Sequence, residues 1–206
     1  MVDALRTPIG RLCFPNLFEP RPQAPGGEPR FSATLVFDEI GVKTQEYQNL
    51  RRAVHAAIVE KFGADKAADP KFVSSLRLPF RDPSEKDYDG FDGEIFIAAW
   101  RKGSDTKPGI VDKHGAEIIA PVDVWAGQLA SFTVRPFGYD KSGNKGVALG
   151  LEHVMIAKSD MPRIDGRRTA KAAFEGSEAD VDAQLAAMGL AGDPSTGMPP
   201  DDDLPF

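Results

Sequence analysis

Apolar residues recur along this chain with two different periods. From Lys43 to Phe62 the period is helical: Tyr47, Leu50, Val54, Ile58 and Phe62 return at steps of three and four, with Arg51, Arg52 and Glu60 off the stripe. Gly63 follows as a helix stop. Elsewhere the pattern is short, β-prone and partly alternating. Residues 11–18, 31–37, 94–100, 122–125, 129–137 and 147–156 read as strands. The stretch PRPQAPGGEPR separates the first two with four prolines and two glycines, so it reads as a loop. The last two are joined by GYDKSGNKG, a hairpin loop rich in turn formers. Residues 63–93 read as irregular, broken by Pro70, Pro79 and Pro83. The pattern predicts a mainly β fold with one or two helices, a small barrel with insertions.

Past Met155 the chain changes character. Residues 177–190 suit a short helix, with Ser177 as N-cap and Val181, Leu185 and Met188 on one side. From 192 to 206 there is no periodicity, and disorder is expected. Charge divides at the same place. The whole chain carries 25 basic and 31 acidic residues, a net charge of -6. Residues 175–206 hold eight of the acidic residues and no Lys or Arg, which leaves residues 1–174 with 25 basic against 23 acidic. The expectation is a slightly basic body, 1–174, and an acidic tail, 175–206, that works separately from it. No apolar run is long enough to span a membrane, and MVDALRTPIG lacks the basic and apolar regions of a signal peptide. Cys13 is the only cysteine, so no internal disulfide can form, which suits a reducing cytoplasm.

Catalytic chemistry finds little support. His55, His114 and His153 lie in a helix, a loop and a strand, and nothing in their spacing groups them. Residues 87–94 approach a calcium loop but place Phe91, Asp92 and Ala98 where a ligand, a glycine and a glutamate are required. No GxGxxG or GK[ST] is present. No enzyme, metal or cofactor is expected.

What remains is an interleaving of aromatic and basic residues. LRLPFR holds Arg77, Phe80 and Arg81, and Trp100-Arg101-Lys102 closes a strand with Lys107 just beyond. Arg135, Phe137 and Tyr139 alternate on one strand, with Lys141 and Lys145 in the loop after them. Unpaired bases stack on aromatic faces while Lys and Arg follow the phosphates, so this is the chemistry of single-stranded nucleic acid binding. Phe14, Phe31, Phe37, Phe96 and Phe132 are read as core. Trp100, Phe137 and Tyr139 stand between core and nucleic-acid contact, and the strand face that would carry DNA stays open.

Two resemblances sharpen this reading. The ending Asp201-Asp202-Asp203-Leu204-Pro205-Phe206 resembles the C-terminal tip of bacterial single-stranded DNA-binding proteins. FPNLFEP, FSATLVFD, LRLPFRD, KPGIVD, VWAGQLASFTV and GNKGVALGLEHV, sampling residues 14–156, resemble a phage family of single-stranded DNA-binding proteins. The resemblance implies a five-stranded oligonucleotide-binding (OB) barrel, with the helix near 43–62 and the 63–93 region as elaborations. It implies a sequence-independent binder of single-stranded DNA, monomeric or dimeric, in the cytoplasm of the infected host. The tip would recruit host or phage replication, recombination or repair proteins by placing Phe206 in an apolar pocket, with Asp201, Asp202 and Asp203 steering towards basic surfaces. Rival readings are a strand-annealing recombination protein, an accessory subunit of a metal-dependent nuclease, and an RNA-binding protein.

Overall fold

The computed structural model of the chain describes residues 3–85, 91–141, 143–164 and 178–188. Backbone contacts divide the chain into a unit of residues 1–166 and a unit of residues 167–206. The first holds strands β1 (Leu5–Arg6), β2 (Gly10–Pro22), β3 (Pro29–Phe37), β4 (Ile95–Lys102), β5 (Gly109–Asp112), β6 (Leu129–Lys141) and β7 (Asn144–Lys158). It also holds helices α1 (Gln45–Phe62), α2 (Ala64–Ala68) and α3 (Pro70–Ser75). The second contains α4 (Glu178–Ala187), where Val181, Leu185 and Met188 are all exposed. The disorder expected over 192–206 and the tip at 201–206 lie outside the described residues.

The sheet closes on itself. β2 pairs with β3, β3 with β4, β4 with β7, β7 with β6, and β6 with β2, while β1 and β5 lie on the flanks. All ring pairings are antiparallel except β4–β7. Three strands in meander, with the fifth between the third and the fourth, make the five-stranded Greek-key OB barrel.

Alternation assigns the two faces of each strand. Leu12, Leu35, Phe37, Ile97, Phe132, Val134 and Leu149 fill the interior, each 0% exposed. Each such side chain contributes about 1.5–3 kcal/mol through burial. The intervening positions face outward. At one end of that outer surface Cys13, Val36 and Phe96 form a second small cluster under Phe91 and Ile164. Burial there raises the Cys13 thiol to about 12.

α1 is the helix that the 43–62 stripe predicts. The Thr44 hydroxyl caps it by accepting the Tyr47 N–H at 3.3 Å, and Gly63, at φ 91°, ends it. Tyr47, Leu50, Val54, Ala57 and Ile58 are its buried face. Tyr47 meets Phe37 edge-on at 6.1 Å. Further along, α1 lies against Gly138 of β6, where a Cβ would come within 2.4 Å of the Lys61 Cβ and 3.1 Å of the Ala57 carbonyl. Only glycine lets helix and strand approach this closely.

Several elements depart from the sequence pattern. Within the stretch expected to be irregular, residues 64–68 and 70–75 are helical: α2 follows α1 directly, and Asp69 caps α3 with Pro70 in its first turn. β2 runs past Pro15 and Pro20 because bulges absorb them, and Arg21 and Pro22 still pair with Arg30 and Pro29. Residues 122–125 are no strand. Pro121–Asp123 form a 3-10 turn, and fully buried Gln128 ties it down by accepting the Trp125 N–H at 2.9 Å and donating to the Asp123 carbonyl at 3.0 Å. The hairpin loop expected between the last two strands is shorter, with β6 and β7 paired through Lys141 and Asn144. β5 and β1 escaped notice because four and two residues are too few to display alternation. Phe14, expected in the core, is 46% exposed.

Gly138→Val should force α1 away from the barrel and cost about 1–3 kcal/mol of stability, as overpacking does. Urea denaturation followed by circular dichroism measures it; an unchanged midpoint would contradict the close packing.

Candidate nucleic-acid interface

A transverse row crosses the outer face of the barrel. Asn16 of β2 pairs with Ser32 of β3, Ser32 with Trp100 of β4, Trp100 with Gly150 of β7, and Gly150 with Arg135 of β6. Five neighbouring strands thus present side chains of one row to the same side. One step along, Thr34, Ala98 and Ala148 keep the surface low, and Phe137, 37% exposed, stands beside them. Trp100 and Phe137 meet edge to face, centroids 5.9 Å apart and planes at 78°. Two aromatic walls therefore rise from a floor of Ala, Ser and Gly.

Cations rim this floor. The Arg30 guanidinium lies 4.0 Å from the centroid of the Trp100 ring. Such a contact holds both groups in place and contributes about 0.5–1 kcal/mol at an exposed site. Lys102 is opposite Arg30 in the β3–β4 register. Arg135 is held by Glu152 at 3.0 Å, with both side chains partly exposed. A cation already ordered against a carboxylate can exchange that partner for another anion, such as a phosphate oxygen.

The structure thus brings Trp100, Lys102, Arg135 and Phe137 into one patch. Tyr139, Lys141 and Lys145 continue along the β6–β7 hairpin towards its turn. There the Tyr139 hydroxyl lies against Gly146, and Lys145 is 3.5 Å from Asp140. Lys107 is exposed in the loop between β4 and β5.

The LRLPFR residues are placed differently. β4 and β7 share only the register pairs at Ala99 and Trp100, and the segment from Arg77 to Arg81 plugs the fork below them. Arg77 bridges to Gly146 of β7, and Arg81 bridges to Phe96 of β4. Phe80 packs on Tyr47 at 5.6 Å, against the core. The Arg81 guanidinium lies over Phe96 at 5.1 Å and is ion-paired with Glu85. Arg101 alternates to the opposite face from Trp100, in register with Phe31.

Arg30, Ser32, Asn16 and Gly150 escaped the sequence reading. Arg30 ends the proline- and glycine-rich stretch whose composition predicts a loop, although β3 begins at Pro29. Its signal was present: Arg30, Ser32 and Thr34 alternate with Phe31, Ala33 and Leu35.

Comparison with known proteins agrees with this architecture. The profile of the family described as "Enterobacter phage Enc34, ssDNA-binding protein" matches residues 5–185. The chain belongs to the Enc34 single-stranded DNA-binding protein family. Putative protein p50 of Acyrthosiphon pisum secondary endosymbiont phage 1 is 28% identical over 150 residues, covering 71% of this chain and 78% of that protein. The single-stranded DNA-binding protein of bacteriophage Enc34, solved in complex with ssDNA, superposes with a TM-score of 0.62 at 20% identity, over 76% of this chain and 87% of that one. Bacteriophage T7 gp2.5, a single-stranded DNA binding protein, superposes with a TM-score of 0.51 at 16% identity, over 82% of this chain and 99% of that one. At these identities the solved structures share the fold of this family member.

A double-mutant cycle on Arg30→Ala and Trp100→Ala, read by urea denaturation, should give a coupling of about 0.5–1 kcal/mol. Additive effects would mean that the guanidinium does not engage the ring in solution.

Proposed function

We propose that this chain binds single-stranded DNA without sequence preference, across the outer face of its barrel. The observation that carries the reading is the row through Ser32, Trp100, Gly150 and Arg135, with Phe137 beside it and Arg30 stacked on Trp100. Bases stack on Trp100 and Phe137 above the low floor, and Arg30, Lys102 and Arg135 meet the phosphates. Stacking tolerates any base because every base has a π-face. Lys141, Lys145 and Lys107 extend the cationic path beyond the patch, and Tyr139 adds an aromatic ring along it. Family membership and the Enc34 protein's structure with ssDNA support the same reading. The role is non-enzymatic: coating exposed strands in the infected cell.

The acidic tip adds a second function. Asp201 to Asp203 steer towards basic surfaces, Pro205 stiffens the approach, and Phe206 enters an apolar pocket on a replication, recombination or repair protein. A solubilising tail would need the aspartates but not Leu204, Pro205 and Phe206.

Fluorescence anisotropy with labelled oligo-dT, against a matching duplex, tests the first function. The parent should prefer the single strand. Trp100→Ala should weaken binding by about 5- to 100-fold, the loss of one stacked base. Lys102→Ala should lower the slope of log K against log salt by about 0.7, the signature of one lost phosphate contact. Equal affinity for duplex and single strand would sink the reading.

Removing residues 199–206 removes three negative charges, so ssDNA binding should tighten at low salt and converge with the parent at high salt. Deleting Phe206 alone should leave ssDNA affinity intact and abolish capture of replication and repair proteins from host extract. Retained capture would reduce the tip to a solubilising tail.

A further inference from the structure

Phe14 is the non-glycine residue with positive φ among the described residues, at 49°. A bulky side chain in that region costs energy, and the residue precedes Pro15, which narrows its choices further. The strain coincides with a break in the β2–β3 ladder. Cys13 pairs with Thr34 and Asn16 with Ser32, so three steps on β2 match two on β3. That is a one-residue bulge centred on Phe14 and Pro15.

The bulge re-aims a side chain. Leu12 points into the barrel and Cys13 out of it, so in a regular strand Phe14 would point in. Instead Phe14 is 46% exposed, its ring tilted against Phe91 at 5.8 Å. Phe91 in turn packs edge-on over Phe96 at 5.2 Å. The large apolar side chain has left the interior and lies partly exposed on the outer face, against Phe91. It does so at the cost of a left-handed backbone. Strain of this kind collects at functional sites.

Its place on the barrel suggests its use. Phe14 lies between the rows of Thr34 and Ser32, and Ser32 is the neighbour of Trp100. β2 is two strands from β4, so the backbones at Phe14 and Trp100 stand about 10 Å apart across the sheet at the spacing of neighbouring strands. That gap is roughly three nucleotides at the rise of a stacked strand. We infer that Phe14 is a further base-stacking platform, separate from the Trp100–Phe137 pair and set on the outer face by the β2 bulge, which takes a base of the same strand that Trp100 engages. The assignment rests on the outer-face reading of ssDNA binding given above.

Phe14→Gly separates the platform from the fold, because glycine adopts φ 49° without strain. The variant should melt near the parent temperature, because relief of the left-handed backbone offsets the lost contact with Phe91, yet bind a long oligo-dT about 5- to 100-fold more weakly. The slope of log K against log salt should not change, since no phosphate contact is lost. Phe14→Tyr should bind within about twofold of the parent. With an oligo-dT too short to reach from Trp100, parent and Phe14→Gly should bind alike. If the parent prefers single strands, Trp100→Ala weakens it and Phe14→Gly matches the parent on long oligo-dT, the Phe14 platform alone is refuted. If the parent shows no preference for single strands, the underlying reading fails and the platform fails with it.

Discussion

The narrow interior of a five-stranded ring admits only one side chain in two from each strand. Leu12, Leu35, Ile97, Val134 and Leu149 take those places and leave no accessible surface. The intervening residues are thereby expelled onto the outer face, whatever their character. Trp100 and Phe137 are partly exposed on the outer face because Ala99 and Pro136 beside them are buried in the wall of the barrel. The same alternation keeps Arg30, Ser32 and Thr34 in one line while Phe31, Ala33 and Leu35 fill the core. The candidate site is thus the outer side of the packing that holds the fold together.

Closure also creates a weakness, and the insertion repairs it. β4 and β7 run parallel and share few register pairs, so the fork below them would leave backbone groups unpaired. The segment from Arg77 to Arg81 supplies the missing partners: Arg77 donates to the Lys145 carbonyl and accepts from the Val147 N–H, and Arg81 both donates to and accepts from Phe96. This explains why aromatic and basic residues of similar composition have different surroundings. Phe80 is drawn onto Tyr47 beneath α1, whereas Trp100, on a strand already paired on both sides, keeps an open face. The bulge in β2 works in the opposite sense, turning Phe14 out of the interior that its place in the alternation would give it.

A chain of net charge -6 repels a polyanion as a whole, but charge here is local. The acidic excess is concentrated after residue 174, while Arg30, Lys102 and Arg135 converge on one face of the barrel. Stacking on Trp100 and Phe137 needs no charge at all, so the affinity of such a surface is shared between a salt-sensitive part and a salt-insensitive one.

The sequence alone carried the helix at 43–62, the main strands, the division of charge and the acidic tip, because each is written in local periodicity or composition. It also named Trp100, Lys102, Arg135 and Phe137, since aromatic and basic residues near strand ends are visible as such. It could not separate these from Phe80 and Arg81, which have the same composition. Facing is decided by which strand pairs with which, and that depends on contacts between residues far apart in the chain. Arg30 was missed because a loop full of proline and glycine masks where a strand begins. Phe14 was misplaced because a bulge shifts the alternation by one residue, and its backbone conformation leaves no mark on the pattern of apolar positions. Local pattern determined which residues have the chemistry to meet a base; closure of the barrel decided which of them stand together on one face.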